Sequence, residues 1–339
     1  MSMLDSPSPV SGTSLPEPSS RVARLRRRNG WVAGVAVLLV VLLLWQSSLV
    51  PTFGPFQIRT ITAGTMTLAF LAMAQAIIVI SGGIDLSVGA MMVLVNCIAA
   101  RWMEGQDLGA CLLIAAACLV IAIVSSTIIG LIITASGIPD IVVTLAASFT
   151  LAGIALLVLD GPGGGTSLDF QSLLVGGFSE PLPSILWIGG ALLLVWLPLR
   201  RSRAGSALYA VGSDRAAAFL AGVDVARTRV MAYSIGGFFS GAAGLVTTAY
   251  TGSGEPRASI GAIATLGSVA AVVLGGVALT GGVGGLVGPV LAAMCLTLIP
   301  PIMLGLGWDP NYAEVARGVI IIAVVMVGGL LTYRRRRTG

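Results

Sequence analysis

The sequence predicts an all-α, polytopic membrane protein of about ten transmembrane helices, some short or broken, with both termini on the cytoplasmic side. Three observations carry that expectation. Over 339 residues, 56% are hydrophobic and only 10% charged, with a mean hydropathy of +0.99, a composition outside the range of soluble domains. Apolar runs near the roughly 20 residues needed to cross a bilayer recur along the chain. The basic residues collect at alternate ends of those runs.

Residues 1–20 are rich in Ser and Pro and have no apolar period, which predicts a disordered segment. With the cluster Arg21, Arg24, Arg26, Arg27 and Arg28 it makes a cytoplasmic tail over 1–28. The run Trp31 to Val50 is too long for the apolar region of a signal peptide, and no small-residue cleavage site follows, so it is expected to remain as the first membrane helix. Hydropathy places nine further spans at about 60–80, 86–102, 108–136, 139–159, 184–199, 230–250, 262–279, 284–306 and 314–332. Pro139 separates the fourth span from the fifth. The membrane domain is thus expected over 29–333, with a basic cytoplasmic tail at 334–339. Alternating ten times from an inside N-terminus puts fifteen of the 19 arginines inside. Only Arg59, Arg101, Arg257 and Arg317 fall outside or at outer helix ends, a strong positive-inside pattern.

Two absences limit the chemistry. The chain has no His, and all 19 basic residues are Arg, so it also has no Lys. A Walker A loop needs its Lys to reach the phosphates, so any nucleotide site must sit on another subunit, and no cofactor is expected here. No His is present to activate a Ser nucleophile, and the chain does not read as an enzyme. The net charge of +5 is clustered at span ends and is no sign of nucleic-acid binding. Cys97, Cys111, Cys118 and Cys295 all lie in apolar runs and read as packing residues. Most of the 45 Gly are expected to let helices approach closely.

One stretch organises the rest: Ser81-Gly82-Gly83-Ile84-Asp85-Leu86-Ser87-Val88-Gly89. A single helix from Thr60 to Trp102 would be about 64 Å long, against a bilayer core of about 30 Å. The chain must break, and the Gly pair is where the backbone bends at least cost. Asp85 then lies between two membrane segments, where an ionisable residue is expensive and a functional candidate. Asn96 is 11 positions further on, which would place it on the face of a helix starting at Asp85. It reads either as part of a polar stripe beside a pathway or as an interhelical hydrogen bond. Gln75 reads as structural. Gly275-Gly276-Val277-Ala278-Leu279-Thr280 weakly echoes Gly82-Gly83-Ile84-Asp85-Leu86-Ser87, a hint of an internal repeat.

Two connections are long. The outer one, Asp160 to Pro183, is Gly-rich and carries Asp160, Asp169 and Glu180. The inner one, Arg200 to Arg229, is basic. Within it Ser213 or Asp214 can cap a short helix, Arg215 to Ala221 favours helix, and Gly222 can end it. That pattern reads either as a solvated connector or as a docking element.

Gly82 through Gly89 closely resembles the signature of the permease subunits of ribose-type monosaccharide ABC importers. The segment Gly212 to Gly222 resembles their coupling loop. Ile138-Pro139 with Val142 to Leu145, and Ala270 to Gly276 followed by Gly281-Gly282-Val283-Gly284, resemble the family in register. The resemblance runs from about residue 60 onward. It implies a multi-pass permease of the bacterial inner (plasma) membrane, dimerising with a second copy or a related chain around a translocation pathway. It also implies two further partners, a cytoplasmic ATP-binding subunit and an external solute-binding protein, periplasmic or a lipoprotein. Gly82, Gly83, Asp85, Ser87, Asn96, Gly275 and Gly276 are the candidates beside the pathway. Gly212, Asp214, Arg215, Ala216, Ala217 and Gly222 would form the coupling loop that receives the ATPase stroke. The resemblance is imperfect at Asp140, where the family usually has a large apolar residue, and at Thr265 to Ser268, where many sugar permeases carry acids. A stand-alone secondary transporter of a small polar solute is the alternative; few intramembrane carboxylates speak for it.

Overall fold

A computed structural model describes residues 21–309 and, beyond them, Tyr312, Val315, Gly318, Val319, Ile322 and Met326; for 21–29 it gives the backbone only. The described residues form helices α1 (Arg21–Leu49), α2 (Pro55–Ile80), α3 (Val88–Met103), α4 (Leu108–Ser136), α5 (Asp140–Val158), α6 (Leu168–Val175) and α7 (Leu182–Gly190). A π-helical stretch, Ala191–Trp196, leads into α8 (Leu197–Arg201). There follow α9 (Arg203–Ser213), α10 (Arg215–Leu220), α11 (Val225–Thr251), α12 (Ala258–Leu274), α13 (Val287–Thr297) and α14 (Ile299–Gly305). The π-helical stretch runs into Pro198, which has no N–H to continue an α-helical ladder.

The chain is therefore all-α and polytopic. Among the described residues, seven helical stretches are long and apolar enough to cross a membrane: Gly30–Leu49, α2, α4, α5, Leu182–Arg201, α11 and Val287–Gly305. About ten were expected. The expected spans at 86–102 and 262–279 are helices of 16 and 17 residues, about 24 and 26 Å long, short of a bilayer core. The expected span at 314–332 lies outside the described residues, apart from a few positions. Helix α1 begins at Arg21, so the basic cluster is helical and continuous with the apolar span, which starts at Gly30. The long outer connection holds α6, opened by Ser167 accepting from the Phe170 N–H at 3.2 Å.

The core sits around α2, which is buried along nearly its whole length against α11, α12 and α13. Small residues on α11 make that possible. A methyl at Gly236 would lie 2.6 Å from Ile78 Cδ1 of α2, and the same helix meets α4 and α3 at Gly237 and Gly244, where a methyl would lie 2.6 Å from the Ala122 and Met92 carbonyl oxygens. In a membrane, where lipid is as apolar as Leu, such close packing is a main source of helix association. Helices α3 and α12 cross at Gly89 and Gly261, with the Gly89 N–H donating to Thr265 Oγ1 at 3.0 Å. Thr265 and Ser268 are buried in this crossing. Leu113, Phe149 and Leu157 point outward, as lipid-facing residues do.

Connections gather at two ends of the bundle. At one, the Ser81–Ser87 turn, α9, α10 and the 275–286 segment meet. At the other, Gly163 pairs with Gly254, and the Gly165 N–H donates to the Ala100 carbonyl at 2.9 Å.

A candidate coupling junction

The Gly82 turn begins as a helix ending. Gly82 has φ +80°; its N–H donates to the Val79 carbonyl at 2.9 Å and the Gly83 N–H reaches back to the Ile78 carbonyl at 3.0 Å. That is the left-handed ending for which Gly is suited. Beyond it Asp85 is buried, its Oδ1 accepting from the Ser87 N–H at 2.7 Å and the Ser87 hydroxyl at 2.6 Å. These bonds restrain the chain just before α3 starts at Val88.

Helix α10 is a small helix at the same end. Asp214 caps it, its carboxylate accepting from the Ala216 and Ala217 N–H groups at 2.8 and 3.0 Å. Gly222, φ +82°, follows its end, with the Val223 N–H on the Ala218 carbonyl at 3.0 Å. Arg215 reaches from this helix to the turn, donating from Nη2 to the Gly82 carbonyl at 2.8 Å. Gly212, at the end of α9, touches the turn directly: a methyl there would fall 1.8 Å from the Ile80 carbonyl oxygen. The Gly282 N–H donates to that same oxygen at 2.9 Å, and Tyr209 donates to the Gly284 carbonyl at 2.7 Å. The turn, α9–α10 and the 281–284 loop are thus one junction, although they are far apart in sequence.

Not every candidate belongs to it. Asn96 lies on α3 about 12 Å along the helix from Val88, near the opposite end of the bundle. Its amide donates to Thr248 Oγ1 and the Ser253 carbonyl, each at 3.0 Å, and accepts from the Glu255 N–H at 2.9 Å. Of the two readings open for Asn96, the interhelical hydrogen bond is the one seen, to Thr248 on α11; α3 begins three residues after Asp85, so the two residues do not share its face. Asn96 also pins the 252–257 loop. The echo at Gly275-Gly276 is corrected too. Gly276, φ +81°, matches Gly82 rather than Gly83, and its hydrogen bonds follow the same left-handed ending. Gly222 and Gly307 use that ending as well, so the echo is a shared helix stop and no sign of a repeat. Ala216 and Ala217 serve as donors to the Asp214 cap. Gln75 is buried with neither amide atom partnered among the described residues.

Sequence reasoning missed one cluster. Asp140 pairs with Arg229, whose Nη2 lies 2.5 Å from both carboxylate oxygens, and the Tyr233 hydroxyl donates to Oδ2 at 3.1 Å. The departure from the family pattern at Asp140 is thus one half of an ion pair. An acid directly after Pro139 and an arginine at the start of an apolar run were the available signals, 89 residues apart.

A multi-pass helical bundle whose Gly82 turn is tied to a short capped helix at one end has the makings of a membrane transport component. Residues 57–325 match the family described as branched-chain amino acid transport system / permease component, and the chain belongs to that family. It is 30% identical over 297 residues to the ribose import permease protein of Escherichia coli (strain K12), covering 86% of this chain and 91% of that one. It is 32% identical over 295 residues to the ribose import permease protein of Bacillus subtilis (strain 168), covering 85% and 90%. A Sinorhizobium fredii protein called probable ABC transporter permease protein y4mJ is 33% identical over 309 residues, 90% of each chain. No solved structure matches. The chain is a permease component of an ABC importer and a multi-pass protein of the inner membrane.

Proposed function

We propose that this chain lines the translocation pathway for a ribose-type sugar or sugar-like small solute, one of two permease copies or related chains. An external binding protein delivers the solute, and ATP is hydrolysed on a separate cytoplasmic subunit docked on α10. The substrate class is supported by the ribose import permeases to which the chain is similar. The chain crosses the membrane ten times with both termini inside: the seven long stretches, the two short helices α3 and α12, and the span expected from hydropathy at 314–332. Supporting that topology, the indole N–H of Trp31 near the start of α1 donates to the Leu274 carbonyl at 2.7 Å, at the same end as α10. Gly82, Gly83, Asp85 and Ser87 transmit the ATPase stroke from the coupling loop to α2 and α3.

The observation that carries the reading is α10 itself. Phe219 and Leu220 are 69% and 85% exposed on a helix capped at its start and tied to Gly82 by Arg215. Large apolar side chains held outward in this way fit a protein partner better than water. The test is uptake of labelled ribose into proteoliposomes holding the permease, its ATP-binding subunit and the binding protein. Uptake that requires ATP and all three supports the reading. Uphill uptake by the permease alone on a proton or sodium gradient would favour the secondary-transporter alternative and overturn it.

A further inference from the structure

The Asp140–Arg229 pair occupies a place that the proposed function leaves unused. Asp140 opens α5 directly after Pro139, where a carboxylate suits the positive end of the helix. Arg229 and Tyr233 are one turn apart on α11 and share a face. The side chains of Arg229 and Asp140 are 8% and 14% exposed. A buried ion pair is weak evidence for stability, because apolar residues of similar volume often do as well. It does impose geometry.

Here the geometry bears on the Gly82 turn. A methyl at Gly83 would lie 2.9 Å from Asp140 Oδ2 and 3.2 Å from the Tyr233 hydroxyl. That hydroxyl also lies 3.5 Å from the Ile84 carbonyl oxygen. The other side of the turn faces Gly212 and Arg215. The turn is therefore held between the ion pair on one side and the coupling loop on the other. Arg229 also lines a cleft of about 520 Å³ with Phe219, Gly222 and Thr134, between α10 and the end of α4.

We propose that Asp140, Arg229 and Tyr233 are positioning residues for transport: a buried latch that locks the Gly82–Asp85 turn to α5 and α11, so that a displacement of α10 moves the bundle and does not merely bend the turn. This rests on the reading of α10 as the ATPase-docking helix. Removing one charge strands the other in the interior and risks misfolding, so the deciding variant removes both, Asp140→Leu with Arg229→Met. A Ser81→Cys substitution reports on the turn, because Ser81 is buried and the native cysteines among the described residues are buried as well.

In membrane vesicles the double variant exposes Cys at 81 to N-ethylmaleimide about tenfold faster than the parent, as expected when a local contact is lost. In the complete transporter the ATP-binding subunit still co-purifies, but ribose uptake per ATP hydrolysed falls roughly tenfold, within the usual range of coupling between sites. The reversed pair, Asp140→Arg with Arg229→Asp, recovers part of both. Either slow alkylation or parental uptake per ATP in the double variant overturns the latch. Leu220→Glu separates the two readings: if the ATP-binding subunit still binds that variant, the docking assignment falls. The alkylation result, which needs neither partner nor solute, still decides the latch.

Discussion

Adding a single methyl group at Gly212 probes the junction directly. The new carbon would sit 1.8 Å from the Ile80 carbonyl oxygen, 2.9 Å from its carbon and 2.6 Å from the Gly282 nitrogen. All three are backbone atoms, so no side chain can swing away. Non-bonded contacts of carbon settle near 3.5 Å, so α9 must retreat by roughly 1.5 Å. That retreat strains the packing, at about 1–3 kcal/mol. The added carbon also lies against both partners of the Gly282–Ile80 hydrogen bond, and forcing them apart costs about 1 kcal/mol net. Ala is the better helix former by about 1 kcal/mol, which offsets part of the loss. The balance is a destabilisation of about 1–3 kcal/mol confined to the junction. Gly153→Ala in α5 is the control: nothing lies within 4 Å of its added methyl, and it should be neutral or slightly stabilising. Hydrogen exchange in nanodiscs reads the effect at the Gly282 amide, with ATP-driven ribose uptake measured in parallel. Faster exchange and reduced uptake in Gly212→Ala, with both unchanged in Gly153→Ala, are expected. If Gly212→Ala exchanges and transports like the parent, the three segments do not form one junction.

Two other substitutions address the ends of α3. Asp85→Ala removes both bonds to Ser87, loosening the start of the helix by about 0.5–2 kcal/mol; uptake should fall, and normal uptake would reduce Asp85 to a packing residue. Asn96→Leu releases the loop at Ser253 and Glu255 and leaves buried polar groups unpaired at about 1–3 kcal/mol. Limited proteolysis between 252 and 257 should accelerate in that variant while ATP-binding subunit assembly is unchanged. Parental cleavage rates would show that the loop is held by other contacts.

Much of the local structure was legible in the chain. The Asp214 cap, the short helix after it and the Gly222 stop lie within nine residues, so each is settled by neighbours in sequence. The Gly82 break was legible for the same reason. The latch and the anchor of the outer loop were not. Asp140 meets Arg229 across 89 residues, and Asn96 meets Glu255 across 159, and nothing local distinguishes a paired charge from an unpaired one. The slip between Gly275 and Gly276 arose because a one-residue shift leaves the Gly pattern almost unchanged while φ differs sharply.

Composition and arginine distribution by themselves determined that this is a helical membrane protein, and where most of its apolar segments lie. They could not determine which helix is central. Over its most apolar 18 residues α4 has a mean hydropathy of 2.8 against 2.0 for α2, yet 17% of those residues are buried against 83% for α2. Lipid and protein interior are both apolar, so hydropathy does not separate a helix facing one from a helix facing the other. Only the packing of α11, α12 and α13 around α2 decided that, through small residues whose close approaches exist in three dimensions alone.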